Sequence, residues 1–398
     1  MFTDQAFKDR IIAFGIGRRL RLMRESVQPV SWRILGVMTF KVKSIPAAGS
    51  AIEEFIDLPW RLHADDRRWI PPSRDGIRWQ LSTLNPFFEY GAMQCFIAFE
   101  GTRVAGRCAG FINDRLVKNG NPIGLVGFFE CEENFEIAEA LLDQAISWLG
   151  ENGCSTIWGP MDFSIWHGYR FMTKGFGHVP FYSEPYNPAY YPEFFWKYGF
   201  ETYARWFSWE VGQNVLEKMR SETEEYTLER LAEAGLKIVP SNPRDFQANL
   251  VDIYQVMIAG FEDNVGFTPI GLKEFSALFG PMQNICLPEI TPIVRDLQNT
   301  PQGFVVMFPD IGVTMRQTAG GLPAFDQERI VYYLVVLLET VRGKGVMGTI
   351  VNQCWDWILQ NGKETLVGAM VKEGPCIFDR FGVMPNREYT LFSIDQSS

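Results

Sequence analysis

Histidine and clustered cysteine are scarce in this sequence of 398 residues, which holds three histidines and seven cysteines with no CxxC pair. Metal sites and disulfide frameworks need such residues in groups. We therefore expect no metal site, and we expect a reducing compartment, the cytoplasm. No apolar run reaches the roughly 18 residues of a membrane-spanning helix, so no transmembrane segment is expected.

Basic residues are in the minority as well, because 37 Lys and Arg stand against 47 Asp and Glu and leave a net charge of −10. Nucleic-acid binding depends on basic surface, so nucleic acid is not an expected partner. Residues 1–37 depart from this balance through the basic string FKDRIIAFGIGRRLRLMR. They predict a basic leader helix that either packs loosely on the chain or lies on a membrane or partner surface.

The chain contains ample apolar residues, 46% of the total, and their pattern occurs twice along the sequence. Alternating and helical periodicities predict an α/β fold, an α+β mixed sheet, in two units of ordinary domain size. The strings AISWLGENG and WDWILQNG place Trp148 and Trp357 at matching positions, an offset of 357 − 148 = 209 residues. We predict a first domain at 38–211, a linker helix at 212–236 and a second domain at 237–398.

Residues 161–185 are an insertion of the first unit without a counterpart in the second. A connection of this length is usually functional. Its aromatic residues either line a pocket for an apolar acceptor or seal the two units together. Its DFSIWHGYR segment holds His167, which is either a base or a packed histidine. The candidate substrate contacts in and just after the insertion are Trp166, Tyr169, Tyr190 and Tyr191.

The most informative stretch is IVYYLVVLLETVRGKGVMG, residues 330–348. Its apolar beginning predicts a buried strand, and the spacing after Gly348 predicts a helix that begins near Gly345. A glycine-rich turn at a helix N-terminus lets backbone N–H groups approach a phosphate, and Arg342 and Lys344 add positive charge. The alternative is a basic strand-to-helix turn that binds nothing.

This loop resembles the pyrophosphate loop of the GCN5-related N-acetyltransferases (GNAT), Q/R-x-x-G-x-G/A, with Arg342 and Gly345 matching and Met347 where the family has Gly or Ala. The family's aromatic-glycine corner occurs twice, as EFFWKYGF (193–200) and CIFDRFGV (376–383). Longer strings such as DLPWRLHADDRRWIPP are similar to a bacterial group of tandem members. The resemblance implies two tandem GNAT-like acyl-CoA N-acyltransferase domains packed as a pseudo-dimer.

The resemblance also implies where the donor binds. Acetyl-CoA or another acyl-CoA is expected as a substrate, with its pyrophosphate on the phosphate loop, residues 342–348, of the second unit. The first unit carries Glu132, Glu133 and Glu136 at the same place, and carboxylates repel a phosphate, so it is not expected to hold CoA in the usual way. The implied cofactor-binding residues are Leu338, Arg342, Gly343, Lys344, Gly345, Val346 and Gly348.

Catalysis in this family uses a base for the amine and an acid, commonly the corner tyrosine, for the departing thiolate. Here Phe195 and Phe378 occupy the corner position, and phenylalanine cannot donate a proton. The remaining acids are water or a shifted tyrosine, Tyr389 or Tyr332.

Two residues are candidates for the base. Glu339 follows the central strand of the second unit, and its alternative role is a surface carboxylate paired with Arg342 or Lys344. His167 of the insertion is the other candidate.

The sequence therefore predicts transfer of an acyl group from acyl-CoA to the amine of a small-molecule acceptor. Two alternatives remain open, a non-catalytic ligand-binding or sensor protein and a transferase whose donor is an acyl-carrier protein or an aminoacyl-tRNA. The sequence also leaves a homodimer open.

Overall fold

A computed structural model describes residues 40–47, 49–242, 246–317 and 328–396. The predicted leader helix, residues 1–37, lies outside this described part. Within it, no helix combines the length and the apolar content needed to cross a bilayer.

The first unit contains a six-strand core with four helices and a short extra strand. In chain order its elements are β1 (Phe40–Ile45), α1 (Ser50–Leu62), α2 (Arg74–Leu81), β2 (Gly91–Glu100), β3 (Arg103–Lys118), β4 (Asn121–Cys131), α3 (Phe135–Glu151), β5 (Thr156–Gly159), β6 (Phe171–Lys174), α4 (Tyr190–Tyr198) and β7 (Glu201–Gly212). Helix α3 buries an apolar stripe that includes Ile137, Leu141 and Leu149 against the sheet.

After two connecting helices the second unit repeats this order of elements, with one additional helix, Gly312–Gln317, and, among its described residues, no counterpart of β6. The connection holds α5 (Gln213–Ser221) and α6 (Leu228–Glu233), and the unit holds β8 (Leu236–Val239), α7 (Phe246–Gly260), α8 (Leu272–Phe279), β9 (Ile293–Asp296), β10 (Pro301–Pro309), α9 (Gly312–Gln317), β11 (Arg329–Leu337), α10 (Val346–Gln360), β12 (Thr365–Lys372), α11 (Ile377–Arg380) and β13 (Arg387–Asp395). The segment predicted as one linker helix thus forms two helices, and Thr227 caps the second by accepting the Arg230 N–H at 3.3 Å.

All these strands join one mixed sheet, which confirms the predicted α/β class. The strand order is β1-β2-β3-β4-β5-β13-β7-β12-β11-β10-β9-β8, and β6 pairs with β13. Each half of the sheet is antiparallel except at one parallel pair, β4 with β5 and β11 with β12. The two halves are therefore arranged as a pseudo-dimer in a single chain.

The last strands of the two units are exchanged. Strand β13 lies beside β5 of the first unit, with Phe392 opposite Gly159, and β7 lies beside β12 of the second unit, with Gly212 opposite Thr365. The exchanged strands pair with each other at the centre of the sheet. Each half of the sheet is consequently completed by a strand from the other unit.

The parallel pairs are short and then diverge. Strand β4 pairs with β5 only over Ile123–Leu125, and β11 pairs with β12 only over Arg329–Tyr332. Beyond these residues each pair opens into a cleft at the carboxyl end of β4 or β11. A ligand can reach backbone groups inside the sheet wherever such a cleft is not already occupied by other protein groups.

Candidate active site

The predicted phosphate loop is open and its geometry suits an anion. Gly343 and Gly345 have φ angles of 75° and 78°, a left-handed conformation that glycine adopts without strain. Helix α10 begins directly afterwards at Val346, and no side chain caps its first N–H groups. Arg342 and Lys344 are exposed on the same turn. Uncapped N–H groups, a helix dipole and two cations therefore meet at one exposed point.

The side chain of Met347 and the ring of Tyr226 define the two borders of this loop. Met347 is 41% exposed, and its sulfur lies 3.8 Å from the hydroxyl of Tyr332. Tyr226, from the connection between the units, packs directly on Gly345 and Gly348, where any side chain at Gly348 would collide with the ring. Gly348 is therefore required by the tyrosine that packs on it.

The corresponding helix start of the first unit is already satisfied by protein groups. The Asn134 side chain accepts the N–H of Glu136 at 3.0 Å and so caps α3. Glu132 forms ion pairs with Arg61, at 2.8 Å, and with Arg103. A capped helix with a neutralised carboxylate leaves no positive site for a pyrophosphate.

The backbone at the cleft of the first unit is already hydrogen-bonded to other protein groups. The carbonyl of Val126 accepts the N–H of Met161 at 2.9 Å, and the N–H of Phe128 donates to Asp162 Oδ1 at 2.7 Å. At the end of β4, the N–H of Cys131 donates to the Tyr191 hydroxyl at 3.0 Å. Hydrogen bonds from the insertion and from α4 thus occupy the backbone of β4 where it leaves β5.

The cleft of the second unit has no such plug among the described residues. Strand β11 continues from Tyr333 to Leu337 without pairing to β12, and these five residues line a cavity of about 1480 Å³. The same cavity reaches Arg342, Gly343 and the start of α10 at one side. The cavity extends to the first unit, where Asp162 and His167 are among the residues that line it.

Aromatic and aliphatic side chains form much of the wall between the two units. Trp166 of the insertion stacks on Phe261, the residue that follows α7, with ring centroids 5.7 Å apart. Its indole N–H donates to the Thr268 carbonyl at 2.7 Å. Met257, Phe261, Leu278 and Phe279 of the second unit line the same space. The insertion therefore contacts the second unit and also lines the cavity.

Two ionisable side chains of the insertion face this cavity with strongly shifted pKa values. Burial raises the pKa of Asp162 to about 7, although the Phe128 N–H and the Arg107 guanidinium favour its charged form. Burial lowers the pKa of His167 to about 3, so this imidazole is neutral at physiological pH. Its Nδ1 lies 3.1 Å from Ser164 Oγ, and its Nε2 is buried without a hydrogen-bond partner among the described residues.

The structure brings some of the predicted site residues together. Arg342, Gly343, Gly345, Val346 and Gly348 of the phosphate loop line the cavity, together with Trp166, His167 and Tyr169 of the insertion.

Other predicted site residues lie elsewhere. Glu339 is exposed on a 3₁₀ turn, Glu339–Val341, and is not part of the cavity wall. Tyr389 is buried beneath the sheet, where its hydroxyl donates to Glu184 and lies 3.1 Å from Ser208 Oγ. The N–H of Leu338 donates to the Gln302 carbonyl at 3.0 Å.

The last three predicted residues, Tyr190, Tyr191 and Lys344, also lie away from the predicted roles. Tyr190 and Tyr191 reach the end of β4, and Tyr191 donates to Glu130 Oε2 at 2.7 Å. Lys344 lies at the exposed tip of the phosphate loop, outside the cavity wall.

Sequence reasoning missed the contribution of the segment between the units. Tyr226 and Arg230 line the cavity beside the phosphate loop, with the guanidinium 5.3 Å from the ring centroid. Because this segment is highly charged, its sequence predicted only a linker helix. An aromatic residue in the middle of a charged run was the available signal.

Comparison with known proteins identifies the fold. No family model matches the chain. It is 23% identical over 289 residues to Protein YghO of Escherichia coli (strain K12), covering 72% of each chain. It is also 23% identical over 292 residues to the Bacterial ceramide synthase of Caulobacter vibrioides, covering 72% of this chain and 74% of that protein.

Among solved structures, a tandem GNAT protein from the clavulanic acid biosynthesis pathway superposes on 90% of this chain and 99% of its own. The TM-score is 0.53 at 12% identity. The repeated element order and the divergence of β4 from β5 and of β11 from β12 agree with that superposition. The chain therefore has the tandem fold of the GCN5-related N-acetyltransferase superfamily.

Proposed function

We propose that this protein transfers an acyl group from an acyl-CoA bound by the second unit to an amine bound in the cavity between the units. One observation carries the proposal. A single cavity joins an open, uncapped phosphate loop to a chamber with buried ionisable groups. The donor and the acceptor can therefore meet without leaving the protein.

The difference between the two units supports one donor site per chain. In the second unit, positive charge and free N–H groups lie at the mouth of an unpaired cleft. In the first unit, Asn134 caps the helix, and Asp162 of the insertion accepts a backbone N–H of β4 at the cleft. A pantetheine arm can lie along β11, where backbone N–H groups can hydrogen-bond to a thioester carbonyl.

The acceptor is an amine with a substantial apolar part. Small-ligand pockets usually enclose about 300 to 1,000 Å³, and this cavity of about 1480 Å³ has room for two substrates. Trp166, Phe261 and Phe279 supply apolar walls away from the phosphate loop. One relative bears the name ceramide synthase. A ceramide is a fatty-acid amide of a long-chain amine, so we extend the proposal to lipid amines.

The reaction balances without a further reactant. The amine nitrogen attacks the thioester carbonyl carbon, a C–N bond forms and the C–S bond breaks. The nitrogen loses a proton to a base, and the CoA thiolate takes up a proton to leave as the thiol. Enclosure of both substrates supplies the proximity that makes this step fast.

The test is an assay of free CoA thiol and of the amide product. Acetyl-CoA and palmitoyl-CoA are each paired with ethanolamine and with a long-chain alkylamine. Amide formation that requires a long-chain amine supports the proposal. Binding of acyl-CoA in calorimetry without any amide would favour a sensor, and absence of binding would favour a carrier-protein or aminoacyl-tRNA donor.

A further inference from the structure

We propose that Asp162 is the general base that removes the proton from the acceptor amine. This inference rests on the proposed function and deepens it, because it names the residue of the first unit that takes part in the chemistry. Its carboxylate lies in the wall of the shared cavity, with Oδ1 held by the Phe128 N–H and Oδ2 beside Gly168, another residue of that wall.

The chain provides a slot for this carboxylate. A side chain at Gly127 would collide with Asp162 Oδ1, and a Cβ at Gly168 would lie 3.0 Å from Oδ2. The loop that carries Asp162 is closed on itself, since Met161 pairs with Tyr169 and the Asp162 N–H donates to the Gly168 carbonyl at 2.8 Å. The position of the carboxylate is therefore determined by the backbone on both sides.

The hydrogen bond that fixes Oδ1 comes from a strained residue. Phe128 has a φ of 45°, in the left-handed region that a bulky side chain rarely adopts. That conformation directs its N–H at Asp162 Oδ1, 2.7 Å away. Strain of this kind persists where the surrounding structure enforces it, and it is concentrated at functional sites.

The other acidic groups around the cavity are engaged by protein partners. Glu130 accepts from Tyr191 at 2.7 Å and lies 2.9 Å from His63 Nε2. Glu184 lies 2.9 Å from Arg387 Nε, and the hydroxyl of Tyr389 donates to it.

Asp162 Oδ2 has no hydrogen bond to any described side chain or backbone group. The neutral imidazole of His167 is a much weaker proton acceptor, because burial lowers its pKa to about 3.

The environment of Asp162 suits proton abstraction near neutral pH. Burial raises the pKa of this carboxyl to about 7, and the Arg107 guanidinium limits the rise. A base with a pKa near the working pH combines a large ionised fraction with good proton affinity. When the amine attacks the thioester, its proton passes to Asp162 Oδ2 and then to water. The thiolate is protonated separately.

The experiment compares Asp162→Asn with the wild type and with Asp114→Asn, a matched change at an exposed carboxylate of β3 outside the cavity. Asparagine keeps an oxygen for the Phe128 N–H but cannot accept the proton. We expect Asp162→Asn to lower kcat by about 100-fold or more. The KM for acyl-CoA should not change, and the rise of kcat with pH near 7 should disappear.

Gly168→Ala is a second variant, because its Cβ crowds Oδ2 and leaves the carboxylate itself in place. We expect it to lower kcat by about tenfold while the pH profile persists. Acyl-CoA-induced thermal stabilisation verifies that each variant is folded.

The outcomes separate the two levels of the argument. An Asp162→Asn enzyme with wild-type kcat and an unchanged pH profile would overturn the role of Asp162 and leave acyl transfer intact. A wild-type protein that acylates none of the amines would overturn the proposed function, and the base assignment with it.

Discussion

Replacing Asp162 should change the dependence of folding stability on pH as well as catalysis. The pKa of its carboxyl rises from 3.8 to about 7 in the folded protein because the charged form is buried. The folded state therefore binds this proton more tightly than the unfolded state, so the contribution of this carboxyl to stability is fully present below about pH 4 and is lost as the pH rises through 7. Three pKa units at about 1.4 kcal/mol each correspond to a loss of about 4 kcal/mol.

The measurement is urea unfolding of wild type and Asp162→Asn between about pH 5 and pH 8. Roughly 2 to 3 kcal/mol of the loss falls within this range by the same linkage relation. Asp162→Asn should therefore gain that much stability relative to the wild type on going from pH 5 to pH 8. Glu184, whose pKa is also raised to about 7 by burial, is present in both proteins and cancels in the difference. Parallel pH curves for the two proteins would show that the carboxylate is not buried as described.

Three further substitutions test the phosphate loop and its counterpart. Lys344→Ala should weaken acyl-CoA binding, measured by calorimetric titration, by about tenfold at low salt and by less at high salt, because salt screens an exposed charge. The control, Lys237→Ala on edge strand β8, should leave the affinity unchanged. Gly348→Ala should lower the free energy of unfolding by about 1 to 3 kcal/mol, because its Cβ collides with the Tyr226 ring. In a Tyr226→Ala background the same substitution should have almost no effect on thermal unfolding. An equally large loss in that background would show that the clash is with another group. Asn134→Ala should destabilise the protein by about 1 kcal/mol, because it removes the N-terminal cap of α3. It should leave the affinity for acyl-CoA unchanged, and a change in that affinity would contradict the proposal that the first unit does not bind the donor.

Local patterns in the sequence predict the elements around the phosphate loop closely. The apolar run beginning at Ile330 lies in β11, Arg329–Leu337, and the helix predicted from Gly345 begins at Val346. Both are short-range consequences of periodicity and of glycine in a turn, which one sequence can report. The duplicated order of elements was visible for the same reason.

The position of Glu339 was harder to predict because the two units are not related by one constant offset. Ile123 of β4 pairs with Thr156 of β5, and Arg329 of β11 pairs with Thr365 of β12. The first members of these equivalent pairs are 329 − 123 = 206 residues apart in the chain, and the second members are 365 − 156 = 209 residues apart. The second unit therefore has three more residues between its two paired strand positions, 365 − 329 = 36 against 156 − 123 = 33. The 3₁₀ turn at 339–341 has that length and carries the carboxylate outward.

Strand exchange was not predictable from the repeat. A repeated pattern indicates that two similar strands exist, and it carries no information about which sheet each strand joins. Pairing between residues as distant as Gly159 and Phe392 is decided by tertiary packing.

The exchange of β7 and β13 makes each half of the sheet depend on the other unit. Deleting the first unit would remove β7 and leave the long edge of β12 unpaired, an exposed template for aggregation. The first unit therefore protects an edge of the second half of the sheet, whether or not it binds a ligand itself.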